Sequence, residues 1–229
     1  MKKAIIIVAA CMTFAIPAIC AAAPARPGGY VTGFLGVSVP KDSSVTTSDF
    51  LNNNTFSDKV EFDPGVYIGG TGGYDFGIVR VEGELSYKHS DLKSITDQAD
   101  GYQFRNVDGN LGVLAMMFNT FFDLHNDTPV TPYVGGGIGF ASLHLSDTYG
   151  TDTRGATVQR PLLYLSDSDT VFAYQLGAGI AIALNRRLSL DLGYRYFGTD
   201  TASFGGDWTT STKLKYESHN AAVGIRVKF

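Results

Sequence analysis

The stretch AAVGIRVKF, residues 221–229, alternates apolar side chains with small or charged ones up to a final phenylalanine. A period of two is typical of a β-strand, because successive side chains of a strand point to opposite faces of the sheet. One face of this segment carries the apolar side chains, and the other carries Arg226 and Lys228. The stretch therefore predicts a strand with one apolar face and one charged face.

Seven further segments have a similar strand-like pattern. The eight predicted strands are 30–39, 64–75, 78–88, 104–123, 130–145, 170–184, 188–197 and 216–229. The connections 40–63, 89–103, 146–169 and 198–215 are long and polar, whereas those near 76–77, 124–129 and 185–187 are short. Alternating long and short connections indicate strands that run up and down. Only segment 104–123 places apolar groups on both faces, so its orientation stays open.

The first residues have the character of a secretory signal peptide. Two lysines precede an apolar run, and a proline and small residues follow it. We expect residues 1–23 to be a signal peptide, cleaved between Cys20 and Ala25, and 24–229 to form one domain. Beyond this leader no run approaches the roughly 20 apolar residues of a transmembrane helix. A membrane crossing would therefore use strands.

Composition excludes several classes of function. Both cysteines, Cys11 and Cys20, lie in the leader, so we expect no disulfide framework and no cysteine metal site. The net charge of -4 argues against nucleic acid as a partner, since nucleic-acid-binding domains usually carry a basic patch.

Three features favour a membrane barrel over a soluble sandwich. Segments 64–75, 130–145 and 170–184 oppose their apolar residues mainly with glycine and alanine, which suits the narrow interior of a small barrel. Charged residues avoid the apolar faces, where a lysine or arginine at the bilayer midplane would cost about 2–4 kcal/mol. Aromatic residues also sort by strand direction, as in the two aromatic girdles of outer-membrane barrels.

We predict one girdle at the end with the short connections and a second at the end with the long ones. The first set is Tyr30, Tyr74, Phe76, Phe121, Phe122, Tyr133 and Phe229, and the second is Tyr87, Phe104, Phe172, Tyr174, Tyr194, Tyr196 and Tyr216. The predicted fold is all-β: an eight-stranded antiparallel up-and-down transmembrane β-barrel in the outer membrane. Both termini would be periplasmic.

Three stretches resemble a known family. TPYVGGGIGFA at 131–141 resembles its fifth strand, residues 173–197 its sixth and seventh, and GIRVKF at 224–229 its closing strand. The sequence is similar to the opacity-protein-like, OmpA-type outer-membrane β-barrels of Gram-negative bacteria, often called the porin family. It departs from them at the turn 185–187, which lacks a proline, and at Asn220, where a carboxylate is common.

The resemblance also implies an assembly signal at the carboxyl end. In such barrels a terminal aromatic residue preceded by alternating apolar residues is recognised by the barrel-assembly machinery. The positions that match here are Val223, Ile225, Val227 and Phe229.

The charges on the inward faces are the main candidate functional residues. This barrel-interior charge network comprises Arg80, Glu82, Glu84, Lys88, Asp191, Arg195, Arg226 and Lys228. We interpret it as a ladder of ion pairs that fills the lumen; a proton or ion path is the alternative. Eight strands enclose only enough space for side chains, so no open pore is expected.

No catalytic, cofactor or metal site is assigned. The histidines His89, His125, His144 and His219 lack metal-ligand spacing. The triplet 144–146 resembles the His-x-Ser of lipid A deacylases, but no orienting glutamate lies nearby, and a serine–histidine pair without one is a poor nucleophile. The glycines of 135–139 lie inside a strand and not in a dinucleotide-binding loop. Acidic residues of the third long connection could bind calcium, although their spacing does not match an EF-hand; they are Asp147, Asp152, Asp167 and Asp169.

The expected function is a structural and surface-interaction role, carried by four long extracellular loops on a non-enzymatic barrel. A narrow porin-like channel for small solutes and a lipid A-modifying enzyme are the alternatives. Expected partners are outer-membrane lipid and lipopolysaccharide, the barrel-assembly machinery, and an extracellular ligand or host surface. We expect a monomer that binds neither nucleic acid nor a cofactor.

Overall fold

A computed structural model describes residues 27–124, 128–154, 157–205 and 210–229. The expected signal peptide and His125 lie outside these ranges. Within them, all regular secondary structure is β-strand, and no helix is long and apolar enough to cross a bilayer.

The described residues form thirteen strands, numbered in chain order. They are β1 (Gly28–Pro40), β2 (Ser43–Asp49), β3 (Asn54–Phe62), β4 (Gly65–Asp75), β5 (Val79–Asp97), β6 (Gln103–Asp108), β7 (Asn110–Asp123), β8 (Val130–Leu145), β9 (Thr148–Thr151), β10 (Leu162–Tyr164), β11 (Asp167–Ala183), β12 (Leu188–Phe204) and β13 (Thr210–Lys228).

Eight of these strands close into a ring. Its order is β1, β4, β5, β7, β8, β11, β12 and β13, each antiparallel to the next, and β13 returns to β1. The closing pair runs in continuous register from Tyr30 opposite Lys228 to Pro40 opposite Ser218. The eight-stranded up-and-down barrel predicted from the period-two pattern is confirmed.

The other five strands extend the barrel wall beyond this ring. β2 follows β1 after two residues and β3 precedes β4, while β6, β9 and β10 continue β7, β8 and β11. They join in the order β13–β2–β3–β5–β6–β9–β10. Much of the long, polar connections is therefore also strand, and the single strand expected at 104–123 is divided at Gly109. In β2 and β3 most side chains are polar on both faces, and β9 and β10 are only four and three residues long, so a period-two search does not find them.

The burial of alternate residues resolves the orientation of β7. Val113 and Met117 are buried inside the barrel, whereas Met116 and Phe118 point outward and are more than half exposed. Continuous pairing with β5 and β8 imposes this alternation.

Four of the predicted girdle aromatics point into the lumen instead. Tyr30, Phe121, Tyr133 and Tyr216 are each at most 5% exposed. They share the inward face with the charged residues, and the hydroxyl groups of Tyr30 and Tyr133 hydrogen-bond to carboxylates there. The prediction sorted these aromatic residues only by their position along each strand. It did not ask which face of the strand each one occupies, and therefore placed them on the outer surface.

Candidate functional site

The interior charge network is centred on an ion pair that crosses the lumen. Arg195 on β12 places Nη1 2.9 Å from Oε2 of Glu84 on β5, nearly opposite in the ring. Glu84 also accepts hydrogen bonds from the hydroxyl of Tyr67 at 3.0 Å, from Asn119 Nδ2 at 3.0 Å and from Gln175 Nε2 at 2.9 Å. This carboxylate thus ties five strands together through one fully buried group.

Arg80 and Glu82 extend the network towards the short connections. Arg80 Nε donates to Asp123 Oδ1 at 2.9 Å, and its guanidinium carbon lies 4.7 Å from the centre of the Tyr133 ring. Glu82 accepts from the hydroxyl of Tyr30 at 2.7 Å, and its carboxylate lies 3.9 Å from Arg80 Nη1. Such dense pairing satisfies most of the hydrogen-bonding capacity of the buried charges, although among the described residues Arg80 Nη2 and Arg226 Nε have no partner, and it is weak evidence of net stabilisation.

The remaining acid–base pairs lie at the same end of the barrel. Asp191 accepts from Tyr133 Oη at 2.6 Å and pairs with Arg226. Lys228 Nζ lies 2.7 Å from Asp75 Oδ2.

Lys88 differs from the other cations of the network. Its ammonium lies 3.8 Å from the centre of the Phe197 ring and 5.0 Å from that of Tyr67, and it is buried. Among the described residues, no carboxylate lies within ion-pair distance of it. Lys88 therefore marks the upper boundary of the polar part of the lumen.

Several members of this network were missed from the sequence. Asp75 and Asp123 end strands and look like turn residues, while Asn119 and Gln175 are isolated amides among apolar or glycine-rich neighbours. All four lie on the inward face of their strands. Marking every second residue of each strand as inward-facing, as was done for Glu84, would therefore have found them.

Glycines on β8 make room for the buried amides. A Cβ atom on Gly137 would collide with Asn119 Oδ1, which accepts from Gln175 Nε2 at 2.6 Å. Close approach of side chains therefore requires this glycine, and the stretch lies inside a strand, as predicted.

Above Lys88 the lumen is filled mainly by apolar side chains, with Ser90 and Ser94 buried among them. The buried members of this apolar layer include Val45, Val60, Ile95, Leu111, Leu143, Phe204 and Leu214. A cavity of about 20 Å³ lies in the polar layer and one of about 10 Å³ in the apolar layer. Spaces of that size hold about one water molecule each. Both parts of the lumen are packed.

Side chains from the long connections also join across the outer end of the barrel. Tyr164 on β10 donates a hydrogen bond of 2.7 Å to Asp58 Oδ2 on β3, and burial raises the pKa of the Tyr164 hydroxyl. Arg154 lies 2.8 Å from Asp152 and 3.1 Å from Asp100, with its guanidinium 4.3 Å from the Tyr102 ring centre. These contacts join the third connection to the first and to the second.

The histidine and serine of the 144–146 triplet do not pair with each other. His144 Nδ1 lies 2.8 Å from the hydroxyl of Ser168, whereas Ser146 Oγ accepts from the backbone amide of Asn110 at 2.8 Å. Within the described ranges, no three histidine, cysteine or acidic residues group closely enough to hold a metal ion.

Comparison with known proteins agrees with this architecture. The family described as outer membrane protein beta-barrel domain matches residues 6–229. The chain belongs to this family. It is therefore an outer-membrane β-barrel protein of Gram-negative type, as its closed ring of strands and apolar outer surface also indicate.

Individual relatives cover nearly the whole barrel. The chain is 29% identical over 242 residues to outer membrane protein PagN of Salmonella typhimurium, covering 96% of this chain and 98% of PagN. It is 24% identical over 213 residues to opacity protein opA65 of Neisseria gonorrhoeae, covering 80% of this chain and 84% of that protein. The crystal structure of OprG from Pseudomonas aeruginosa superposes with a TM-score of 0.59 at 16% identity, covering 90% of this chain and 98% of OprG. The last likeness concerns the fold alone.

Proposed function

We propose that this protein is a non-enzymatic surface-interaction protein, in which a filled barrel anchors hairpins that bind an extracellular ligand. The packed lumen supports this proposal over a porin-like channel, because the two cavities described in it, of about 20 and 10 Å³, hold about one water molecule each. Function would then reside in the part of the wall that projects beyond the membrane.

The tip of the β2–β3 hairpin is the observation that carries the proposal. Phe50, Leu51 and Phe56 are 61%, 75% and 52% exposed there. Grouped apolar side chains on a water-facing projection are typical of an interaction site, since exposed apolar patches are usually small in monomeric proteins.

The chain holds this tip in a defined shape. Asp49 Oδ1 accepts hydrogen bonds from the backbone amides of Leu51 at 2.9 Å and Asn52 at 3.2 Å. Asn53 adopts a left-handed conformation with φ of 51°, which asparagine tolerates better than most residues. A pre-formed turn loses less conformational entropy on binding than a flexible loop does.

The net charge of the whole hairpin indicates the kind of partner. Residues 41–63 contain five acidic side chains and two lysines. A protein surface with an apolar pocket and a basic rim would complement both the apolar side chains and the acidic hairpin.

Adhesion of bacteria to cultured epithelial cells tests the proposal. The protein would be expressed in a non-adherent Gram-negative strain, beside a variant carrying Phe50→Ser, Leu51→Ser and Phe56→Ser. We expect the native protein to raise adhesion at least fivefold over the empty strain, and the variant to lose most of this gain.

A matched variant controls for the removal of exposed apolar groups. Val158→Ser with Leu165→Ser changes two exposed side chains of the third connection and should leave adhesion unchanged. The amount of folded protein in each strain is measured from the gel-mobility shift between unboiled and boiled samples, and expression is adjusted until the amounts are equal. Adhesion of the tip variant at the native level, or no gain from the native protein, would refute the proposal.

A further inference from the structure

The outward face of the barrel changes from apolar to charged in one step along the β1–β13 seam. Val37 and Val39 are exposed on the lipid side, and Ala221 lies beside Val37. The next outward position, directly after the end of β1, is Lys41, whose backbone amide donates to the carbonyl of Glu217. The step marks where the hydrocarbon part of the membrane ends, because charges are expelled from it.

Aromatic residues on the neighbouring strand lie at the same level. The hydroxyl of Tyr194 is 2.6 Å from Nδ1 of His219, and the rings of Tyr196 and His219 are 5.4 Å apart. Tyrosines concentrate where a membrane meets water, with their rings at the level of the lipid head groups. The charged residues just above them therefore face the head groups of the outer leaflet.

Two lysines at this level are held in place by one carboxylate. Lys41 Nζ lies 2.7 Å from Oε2 of Glu217, and Lys215 Nζ lies 3.1 Å from Oε1. Both lysine side chains are about half exposed. Each ammonium has three N–H donors, so both can donate to a further acceptor while Glu217 fixes their separation.

Lys213 continues this group along β13, one outward position beyond Lys215. We call Lys41, Lys213 and Lys215 the lysine cluster. Lys41 and Lys215 share the single carboxylate of Glu217, while Asp42, next to Lys41 in the chain, pairs with Lys59. These two lysines therefore carry one positive charge that Glu217 does not balance, on the side of the barrel that faces lipid.

A second group of lysines at a similar height is balanced in charge. Lys59 Nζ lies 2.9 Å from Asp42 Oδ2 and 3.3 Å from Glu61 Oε1, and Lys93 Nζ lies 4.0 Å from Glu61 Oε2. Two lysines thus meet two carboxylates, so this pair provides a matched comparison.

We propose that the lysine cluster binds a phosphate group of lipopolysaccharide in the outer leaflet. A phosphate has several anionic oxygens, which can accept from the ammonium groups of Lys41 and Lys215 together. The glycolipid is the phosphate carrier that this lipid-facing side meets in an outer membrane. The site is separate from the hairpin tip, so either proposal can fail without the other.

Native mass spectrometry of the folded barrel in detergent, titrated with bisphosphorylated lipid A, tests the site. The variant Lys41→Gln with Lys215→Gln should bind at least tenfold more weakly, since each lysine near an anionic lipid surface contributes about 1 kcal/mol. The control variant Lys59→Gln with Lys93→Gln should bind as the native protein does. Lipid A stripped of its phosphates should bind all three proteins equally.

Three results would overturn the site. The first is unchanged binding by the Lys41 and Lys215 variant, and the second is an equal loss in both double variants, which would indicate a general effect of charge. The third is displacement of lipid A by an equimolar amount of inorganic phosphate, which would identify a site for soluble anions. Gel-mobility shifts of unboiled samples confirm that each variant is folded.

Discussion

Replacement of Glu84 by glutamine tests how the lumen is held together. Glu84→Gln keeps the shape of the side chain but removes the charge opposite Arg195, whose guanidinium lies 2.9 Å away. Glu84 is 2% exposed, and the side chain of Arg195 is 14% exposed, so the pair is largely out of water. The substitution therefore leaves a buried cation without its main partner.

The size of the effect follows from the contacts that remain. Removing one partner of a buried ion pair destabilises a protein by about 3–5 kcal/mol. Arg195 keeps Glu82 at 3.4 Å and the Tyr67 hydroxyl at 3.0 Å, which places the loss at the lower end. We expect about 3 kcal/mol of unfolding free energy to be lost, roughly a hundredfold in the folding equilibrium.

A second substitution shows whether Glu84→Gln destabilises the barrel through the unbalanced charge or through altered packing. Arg195→Met in the Glu84→Gln background removes the uncompensated cation, while Glu82 keeps its contacts with Arg80 and Tyr30. The double variant should therefore recover at least about 1 kcal/mol, since apolar replacement of a buried pair is often tolerated.

Urea titration of the barrel in detergent micelles measures these differences, with the folded fraction read from gel mobility. Glu61→Gln is the control, because its partner Lys59 is exposed and such pairs contribute about 0–1 kcal/mol. The reasoning would be refuted if the unfolding free energy of Glu84→Gln lay within about 0.5 kcal/mol of the native value, because a difference of that size is typical of a surface substitution. A double variant less stable than the single one would refute it as well.

Three further predictions concern the two ends of the barrel. Phe229→Ala should lower the amount assembled in the outer membrane without changing folding in detergent; equal amounts in fractionated membranes would contradict an assembly signal. Tyr164→Phe should cost about 1 kcal/mol through the lost hydrogen bond to Asp58, seen as faster proteolysis of β10. The hydrogen bond from Arg154 lowers the pKa of Asp152, so the contact between these two residues of the third connection holds above the ordinary aspartate value of 3.8 and is lost as the pH falls through the lowered value. Hydrogen exchange at the amide of Arg154 between pH 6 and pH 3, corrected for its intrinsic rate, would detect this, and constant protection would contradict it.

The barrel strands and their faces could be predicted from the sequence because both depend on local alternation. The pairing of β1 with β13 follows from the apolar and charged faces of residues 221–229. The same alternation would have placed Tyr30 and Tyr133 inside, had it been applied to them. The strands β2 and β3 could not be found in this way, since most of their side chains are polar on both faces and only tertiary pairing makes them strands.

By itself, the sequence determined an exported chain, eight alternating strands and a set of charges that had to face inward. The tertiary structure alone decided which of those charges meet. Glu84 and Arg195 are far apart in sequence and lie on strands that do not touch, so their contact depends on the register of each strand pair around the ring. The physical reason is that the direction of a side chain is a property of its own strand, whereas its height in a closed barrel is the sum of all the registers.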